Sequence, residues 1–202
     1  MQKQSFSERV INSCCFGASS ADEALRLIVK VCCDLTIDRG YGEISVACVH
    51  GAVQAGTPVI IGRSEDGSYL HIFFHGEDRV GVKFMRSLDE KYSSGDIEVV
   101  VVSIEGPTTC TKKETLELRP WVQMLTFNDV FINVTKHCLV HKHRRMDPEE
   151  IASLRSRLGL SEKNQELPKL SSTDPVAKYY RFRKNDIIEI SRPTGFYYRQ
   201  VV

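Results

Sequence analysis

The chain has 202 residues, 42% of them hydrophobic, and a formal net charge of +1, which fits one large or two small globular domains. No run approaches the ~18 apolar residues of a membrane-spanning helix, and the first residues, MQKQSFSERVINSCC, lack the basic patch and apolar run of a secretory signal. Seven cysteines with two vicinal pairs and no CxxC fit neither a disulfide framework nor a zinc ribbon, so we expect a reducing, intracellular compartment.

The near-neutral total hides a charge asymmetry along the chain. Residues 134–202 hold 14 Lys and Arg against 8 Asp and Glu, a net charge of +6. The rest of the 27 basic and 26 acidic residues, 13 against 18, gives residues 1–133 a net charge of −5. Two interpretations stay open: solvated surfaces of opposite sign, or a basic module that docks on an acidic partner or on nucleic acid.

The first half of the chain predicts a mixture of helices and strands. Ser20, three residues before Glu23, forms a capping box that starts an amphipathic helix, whose inward residues are Leu25, Ile28, Val29, Cys32 and Leu35. The β-rich runs EISVACV, TPVII and YLHIFF follow within residues 41–74, and residues 80–92 predict a helix with Val82, Met85 and Leu88 inward. The run IEVVVVSI (97–104) lacks alternation, so we expect a central strand covered on both faces and ended by Gly106-Pro107. This pattern indicates an α/β domain.

A second unit is predicted to begin near Asn133. Its first helix has Asp147 at the N-cap, Pro148 at N1, Glu150 at N3 and Gly159 just past its end, with a predicted buried stripe of Ile151, Leu154 and Leu158.

The stretch LPKLSSTDPVAKYY (167–180) then predicts an extended Leu167-Pro168 and a short helix that Pro175 starts. Thr173 or Asp174 caps this helix. The last two runs, NDIIEISRP and GFYYRQVV, indicate two strands joined by a turn at Pro193–Gly195.

Two catalytic or metal interpretations compete with a purely structural one. The segment KHCLVHKH holds His137, Cys138, His141 and His143, but on an extended strand Cys138 points away from the three histidines. A fourth zinc ligand would have to come from elsewhere, with Cys110 as the candidate.

Asp78 followed by Asp89-Glu90-Lys91 loosely fits a metal-dependent nuclease, but the triplet lies at the end of a predicted helix instead of on a strand. The common catalytic motifs, P-loop, GxGxxG, nucleophile elbow and HExxH, do not occur. The sequence therefore favours an interaction protein without catalytic residues, metal or cofactor, with a nuclease and a zinc-containing adaptor as alternatives.

Six pieces of the second unit together resemble one known family. In order they are NVTKHCLVHKH, MDPEEIASLRSRLGL, LPKL, DPVAKYY, RKNDIIEISRP and YYR. They resemble the C-terminal domain of the fifth subunit of eukaryotic DNA-directed RNA polymerases, a family with an archaeal counterpart that lacks the N-terminal jaw. Upstream, RVGVKFMRSLDEKY, IEVVVVSIEG and FNDVFINVT are similar to the second half of the eukaryotic subunit's N-terminal jaw domain, whereas residues 1–75 show no match.

The resemblance implies an α/β protein with two domains. Residues 1–133 would form the jaw, whose central sheet has a nuclease-like topology without nuclease chemistry, and residues 134–202 the small α/β assembly module. The implied function is that of a non-catalytic subunit of a multisubunit RNA polymerase. Its module would dock on the largest subunit beside neighbouring subunits, its jaw would lie beside downstream double-stranded DNA without reading sequence, and no small-molecule substrate or membrane is involved.

The implied docking and DNA contact suggest candidate site residues, with completion of the module's own core as the alternative role of the short helix. Partner binding is expected at the short helix and the final hairpin, through Asp174, Pro175, Val176, Tyr179, Tyr180, Arg192, Pro193, Tyr198 and Arg199. The candidates for non-specific phosphate contact are Lys112 and Lys113, which follow a turn after the buried strand in GPTTCTKKE.

Several positions depart from the family pattern. His141 stands where the family has a proline, Asn185-Asp186 replaces a basic-glycine turn, and the hairpin after Pro193 is shorter. Together with the diverged first third, these departures favour a large double-stranded DNA virus that encodes its own polymerase, and hence the host cytoplasm and the virion. A divergent protist, and hence the nucleus, is the alternative.

Overall fold

The computed structural model describes residues 20–77, 79–92, 97–112, 119–159 and 167–202. The chain divides into two compact units, Met1–Ile132 and Asn133–Val202, a division one residue away from the expected boundary between residues 133 and 134. Both units combine helices with sheets, so the predicted α/β class is confirmed. The nuclease-like topology of the first sheet stays a prediction.

The N-terminal unit is built on a five-stranded mixed sheet with strand order β1-β2-β3-β5-β7. The strands β1, β2 and β3 pair antiparallel, whereas β3, β5 and β7 run parallel, and β4 and β6 form a separate parallel pair. In chain order the described elements are α1 (Ala21–Asp38), β1 (Glu43–Val46), α2 (Val49–Ala55), β2 (Ile60–Arg63), β3 (Tyr69–Phe74), β4 (Arg79–Val80), α3 (Val82–Tyr92), β5 (Ile97–Ser103), β6 (Gly106–Pro107), β7 (Val122–Thr126) and α4 (Phe127–Val130).

Strand β5 is the central hydrophobic strand that its sequence predicts. Its four valines, Val99 to Val102, are fully buried, because β3 and β7 flank the strand and both faces of the sheet are covered. On one face Val99 and Val101 form a cluster with Phe73 and with the helix α3. Within α3, Met85 and Leu88 are buried as predicted, but Val82 is only half-buried.

The helix α1 begins where its sequence predicts. The side chain of Ser20 accepts a hydrogen bond from the Glu23 amide at 3.2 Å. The buried stripe is right except at Val29, which is half-buried, and Val31 is buried as well. This stripe faces the unit's own core, since α1 contacts β2 and α4.

The predicted strand EISVACV is wrong in its second half. β1 ends at Val46, and the short helix α2 begins at Val49 and closes at Gly56, whose φ of 62° is in the left-handed region that glycine favours. The residues that follow β1 therefore lead into the helix α2 instead of continuing the strand.

The C-terminal unit is a four-stranded sheet of order β8-β10-β11-β9 with helices on both faces. The face towards α6 buries Ile188 and Ile190, and the face towards α5 buries Ile187. The strands β8, β10 and β11 pair antiparallel, and β9 runs parallel to the end of β11. The elements are a 3-10 helix (Val134–Lys136), β8 (Lys142–Arg145), α5 (Pro148–Leu158), β9 (Lys169–Leu170), α6 (Pro175–Tyr180), β10 (Ile187–Arg192) and β11 (Gly195–Val201).

The caps of α5 are those predicted, but its buried stripe is shorter. The Asp147 amide donates to the Glu150 carboxylate at 2.9 Å, and Gly159 ends the helix at φ 64°. Leu154 packs with Met146 and Ile187. The prediction that Leu158 is buried is wrong: it is 48% exposed, because it lies in the last turn, beyond the part of the helix that covers the sheet.

Candidate protein-binding interface

The short helix α6 carries five of the predicted partner-binding residues. The Asp174 side chain accepts from the Val176 amide at 2.8 Å, so Asp174, and not Thr173, caps the helix that Pro175 starts. Val176 and Tyr179 are buried, and the Tyr179 hydroxyl accepts from the Asn133 side-chain amide at 3.1 Å. Pro175 is exposed, and Asp174 and Tyr180 are half-buried. Only these three therefore present surface to a partner.

The tip of the β10–β11 hairpin carries two further predicted residues, Arg192 and Pro193, both exposed. The Arg192 guanidinium lies over the ring of Tyr197, 4.7 Å from its centroid. The hydroxyl groups of Thr194 and Tyr197 are 3.1 Å apart and hydrogen-bonded. These contacts hold an arginine and an aromatic ring together on one side of the tip.

The last two predicted residues, Tyr198 and Arg199, lie on opposite faces of the sheet, since neighbours in a strand alternate. Tyr198 packs with the α5-side cluster, and its hydroxyl accepts from the Arg157 guanidinium at 3.2 Å. Arg199 pairs with Ile188 on the α6 side and donates to the Lys169 carbonyl at 3.3 Å. The predicted residues thus form one set around α6 and another on the opposite face.

His143 in β8 lies on the α6 side of the sheet. It pairs with Ile190 and therefore shares the face of Tyr197 and Arg199. Burial of its ring lowers the pKa of His143, while its hydrogen bond with the His141 carbonyl at 2.7 Å and the charge of Asp174 act in the raising direction, and the charge of Arg199 lowers it further. Asp174 and Arg199 are thus both close enough to act on this imidazole.

The sequence interpretation missed His143, Phe196 and Tyr197 as surface residues. It considered His143 only as a metal ligand, and the two aromatic residues only as part of a strand. The alternation in GFYYRQVV was the available signal, since it puts Tyr197 with Arg199 on one face and Phe196 with Tyr198 on the other.

The histidine- and cysteine-bearing segment of the zinc alternative is not one extended strand. A 3-10 helix and a turn occupy residues 134–140, and β8 begins only at Lys142, so His137 and Cys138 are exposed in the turn. The Leu139 amide donates to the His137 ring at 3.2 Å. Within the described ranges, His, Cys, Asp and Glu nowhere form a group of three or more that could hold a metal ion.

The acidic triplet of the nuclease alternative lies on α3. There Asp89 accepts hydrogen bonds from the Arg119 guanidinium, with Nε at 2.7 and 2.9 Å from its two oxygens and Nη2 at 2.5 Å. This ion pair gives Asp89 a structural role. Asp78, the other predicted metal ligand, lies outside the described residues.

Of the two DNA candidates, Lys112 is exposed and Lys113 lies outside the described residues. The Lys112 amide donates to the Thr108 carbonyl at 2.8 Å, and the Thr108 amide donates to the Val80 carbonyl at 3.1 Å. This helical turn therefore lies beside the start of α3, where Lys83 and Arg86 are also exposed.

Within the described part of the chain, no helix combines the length and the apolar character needed to cross a membrane.

Comparison with known proteins gives one family match. Residues 132–202 match the family described as RNA polymerase Rpb5, C-terminal domain. The chain is 28% identical over 140 residues to "DNA-directed RNA polymerases I, II, and III subunit RPABC1" of Caenorhabditis elegans, covering 67% of this chain and 65% of that protein. It is 26% identical over 131 residues to "DNA-directed RNA polymerase V subunit 5A" of Arabidopsis thaliana, covering 64% and 58%. The chain thus spans about two thirds of the length of the curated relatives it matches.

Among solved structures, the chain is similar to "ATP-dependent Type ISP restriction-modification enzyme LlaBIII bound to DNA", with a TM-score of 0.39, 13% identity, and coverage of 88% of this chain and 13% of that one. A likeness at this score carries no argument about fold or function.

Proposed function

We propose that the chain is a non-catalytic subunit of a multisubunit DNA-directed RNA polymerase, because its residues 132–202 match the family of the Rpb5 C-terminal domain and its curated relatives are named as polymerase subunits. One observation carries the proposal: the family match over 132–202 spans the whole compact C-terminal unit, Asn133–Val202. In this proposal the C-terminal unit docks on the largest subunit, and the N-terminal unit is the jaw beside downstream DNA.

The surface around α6 and the hairpin suits such docking. It combines the exposed Arg192 and Tyr197 and the half-buried Arg199 with the capped start of α6 at Asp174. Arginine and tyrosine are the residue types that dominate protein interfaces. No contact in the described residues favours the nuclease or the zinc adaptor.

The proposed location follows from the proposed partner. If the chain comes from a cellular organism, it would act in the nucleus with its polymerase; if it comes from a large DNA virus, it would act in the host cytoplasm and be packaged in the virion. The viral origin stays a prediction.

Affinity purification of the tagged chain from its native host is the direct test. We expect a largest-subunit homologue to be recovered with it, and no Mg²⁺-dependent DNA cleavage by the purified chain. Arg192→Glu should lower the recovery severalfold, because it reverses the charge of an exposed interface arginine. The matched control is Lys184→Glu, an exposed cation at the opposite end of β10, which should leave recovery unchanged. Recovery of the wild-type chain without any polymerase subunit would contradict the proposed function.

The proposed contact with downstream DNA predicts a salt effect at Lys112. In the assembled polymerase, Lys112→Glu should shorten the lifetime of open complexes and lower the slope of log affinity against log salt by about 0.9 for the phosphate contact that is lost. Lys30→Glu, which changes an exposed cation on α1, is the control. Open complexes with unchanged lifetime and unchanged salt slope in the Lys112 variant would rule out this contact, while leaving docking on the largest subunit untouched.

A further inference from the structure

The turn His137–Val140, which follows the 3-10 helix, has an apolar tip. The Val140 amide donates to the His137 carbonyl at 2.9 Å, which closes a four-residue turn with Cys138 and Leu139 at its centre. Both central residues are exposed, and Leu139 is 78% exposed, the highest value of any large hydrophobic side chain in the described part of the chain. Turn centres usually hold Gly, Asn, Asp, Pro or Ser. Neither the geometry of the turn nor burial in the unit therefore explains a leucine at this position.

A side-chain hydrogen bond fixes the backbone of this turn. The Leu139 amide donates to Nδ1 of His137 at 3.2 Å, so the imidazole takes the part that an Asn or Asp side chain plays in many turns. Together with the bond from Val140, this contact holds the backbone of Leu139 in one conformation. A side chain presented in this way loses little conformational entropy when it binds.

Hydrogen bonds through Asn133 connect the turn to α6. The Asn133 side-chain oxygen accepts from the Thr135 amide at 3.0 Å and from the Thr135 hydroxyl at 2.6 Å. The Asn133 side-chain amide donates to the hydroxyl of Tyr179, which is buried in α6. The 3-10 helix that leads into the turn also contacts α6. The turn is therefore continuous with the α6 surface to which we assign docking.

The surroundings of the tip are positively charged. Residues 130–146 contain Lys136, Lys142, Arg144 and Arg145, and neither Asp nor Glu. The two arginines form ion pairs with carboxylates of the C-terminal unit. The two lysines, one before the turn and one after it, are exposed. A surface that complements this tip is therefore apolar opposite Leu139 and acidic around it.

We propose that Leu139 is an apolar anchor, which inserts into a pocket of the largest polymerase subunit that has an apolar floor and an acidic rim. This inference rests on the proposed function and names one contact by which the docking occurs. Burial of an aliphatic side chain in a partner's pocket is a common source of affinity in protein interfaces. His137 acts through Leu139 and is a positioning residue.

Leu139→Ala tests the anchor directly. In affinity purification from the native host, this variant should bind the polymerase about tenfold more weakly than the wild type, because most of the buried aliphatic surface is lost. The matched control is Leu158→Ala, which makes the same change at an exposed leucine of α5 and should leave recovery unchanged. Thermal unfolding of the full chain, followed by circular dichroism, should be the same for both variants and the wild type, since both side chains are exposed.

Two substitutions of His137 test its positioning role. His137→Ala and His137→Asn both remove the ring, but only asparagine restores a side-chain acceptor for the amide two residues later. We expect the alanine variant to bind severalfold more weakly than the wild type and the asparagine variant to regain most of the loss. Equal weakening in the two variants would overturn the positioning role, because it would show that the ring itself contacts the partner.

The acidic rim predicts a salt effect at Lys142. Lys142→Glu should lower recovery severalfold at low ionic strength, and the difference should shrink as salt screens the charges. Lys184→Glu, which changes an exposed cation beyond the far end of β10, should leave recovery unchanged at every salt concentration. An effect of Lys142→Glu that is absent at low salt would overturn the acidic rim.

The remaining outcomes separate this inference from the proposed function. Recovery of Leu139→Ala equal to that of the wild type would overturn the anchor. A lower unfolding temperature in Leu139→Ala would show that the side chain packs within its own chain. A free chain that elutes as a dimer and becomes monomeric with Leu139→Ala would identify a second copy as the partner. Failure of the wild-type chain to recover any polymerase subunit would instead contradict the proposed function itself.

Discussion

Asp89→Ala is expected to lower the free energy of unfolding of the N-terminal unit by about 2 to 4 kcal/mol. The Arg119 side chain is only 10% exposed, so removing the carboxylate that accepts its Nε and Nη2 hydrogen bonds leaves a buried guanidinium poorly compensated. The Asp89 side chain is 34% exposed, which is why we expect less than the full cost of breaking a buried pair. Trp121, the chain's single tryptophan, packs against the core of this unit and reports its unfolding by fluorescence.

Two control variants test whether the loss of stability in Asp89→Ala comes from the broken ion pair. Glu90→Ala changes an exposed neighbour on the same helix and should stay within about 0.5 kcal/mol of the wild type. The double variant Asp89→Leu/Arg119→Met should be less destabilised than Asp89→Ala, because it removes both charges together. An unchanged unfolding midpoint in Asp89→Ala would contradict the structural role. Mg²⁺-dependent cleavage that disappears in this variant would restore the nuclease alternative.

The features that the sequence predicted best depend on local chemistry. The cap at Ser20, the proline start and glycine end of α5, and the cap and proline start of α6 each involve residues close to one another in the chain. The buried strand β5 was predictable for a similar reason, because a run of valines without alternation is typical of a strand covered on both faces. The resemblance of the C-terminal unit to the C-terminal domain of the fifth polymerase subunit, carried by motifs of the same local kind, is confirmed.

The features that the sequence could not predict depend on residues far apart in the chain. Asp89 and Arg119 are 30 positions apart, and neither residue signals its partner. Val176 and Tyr179 are residue types that occur at protein interfaces, but in α6 both side chains are buried in the unit's own core. The short strand β9 pairs in parallel with Gln200 and Val201, at the end of the longer strand β11. Such pairing depends on the whole sheet and leaves no pattern in either strand.

Some of the predicted partner-binding residues are buried, which leaves a smaller surface for docking. The sequence nominated nine residues on the helix and the hairpin, and burial removes two of them from the surface, Val176 and Tyr179. The helix α6 still offers Asp174, Pro175 and Tyr180, whereas the tip of the hairpin offers the exposed side chains of Arg192 and Tyr197. The tip of the hairpin is therefore the more productive target for interface substitutions, since Arg192 and Tyr197 are exposed and lie outside the buried core of the unit.

Gly62→Ala is expected to destabilise the N-terminal unit by about 3 kcal/mol, at the upper end of the cost of overpacking. A Cβ at this position of β2 would lie 2.4 Å from the Thr36 methyl group and 2.9 Å from the Tyr41 Cβ. Thr36 cannot rotate away cheaply, because it is fully buried and its hydroxyl donates to the Cys32 carbonyl at 2.8 Å. The absence of a side chain at Gly62 is thus what allows α1 to approach the sheet.

Gly51→Ala provides the matched control for this close approach. Gly51 lies in the helix α2 and is exposed, and a Cβ added there would meet no atom within 4 Å, so the same change should raise the stability of the unit by about 0.5 to 1 kcal/mol. Opposite shifts of the Trp121 unfolding transition in the two variants would separate packing from the general effect of adding a methyl group. Equal shifts would mean that α1 moves away from β2 at little cost. The contact between α1 and the sheet would then not be a fixed part of the unit's core, and the buried stripe of α1 would contribute less to stability than its burial indicates.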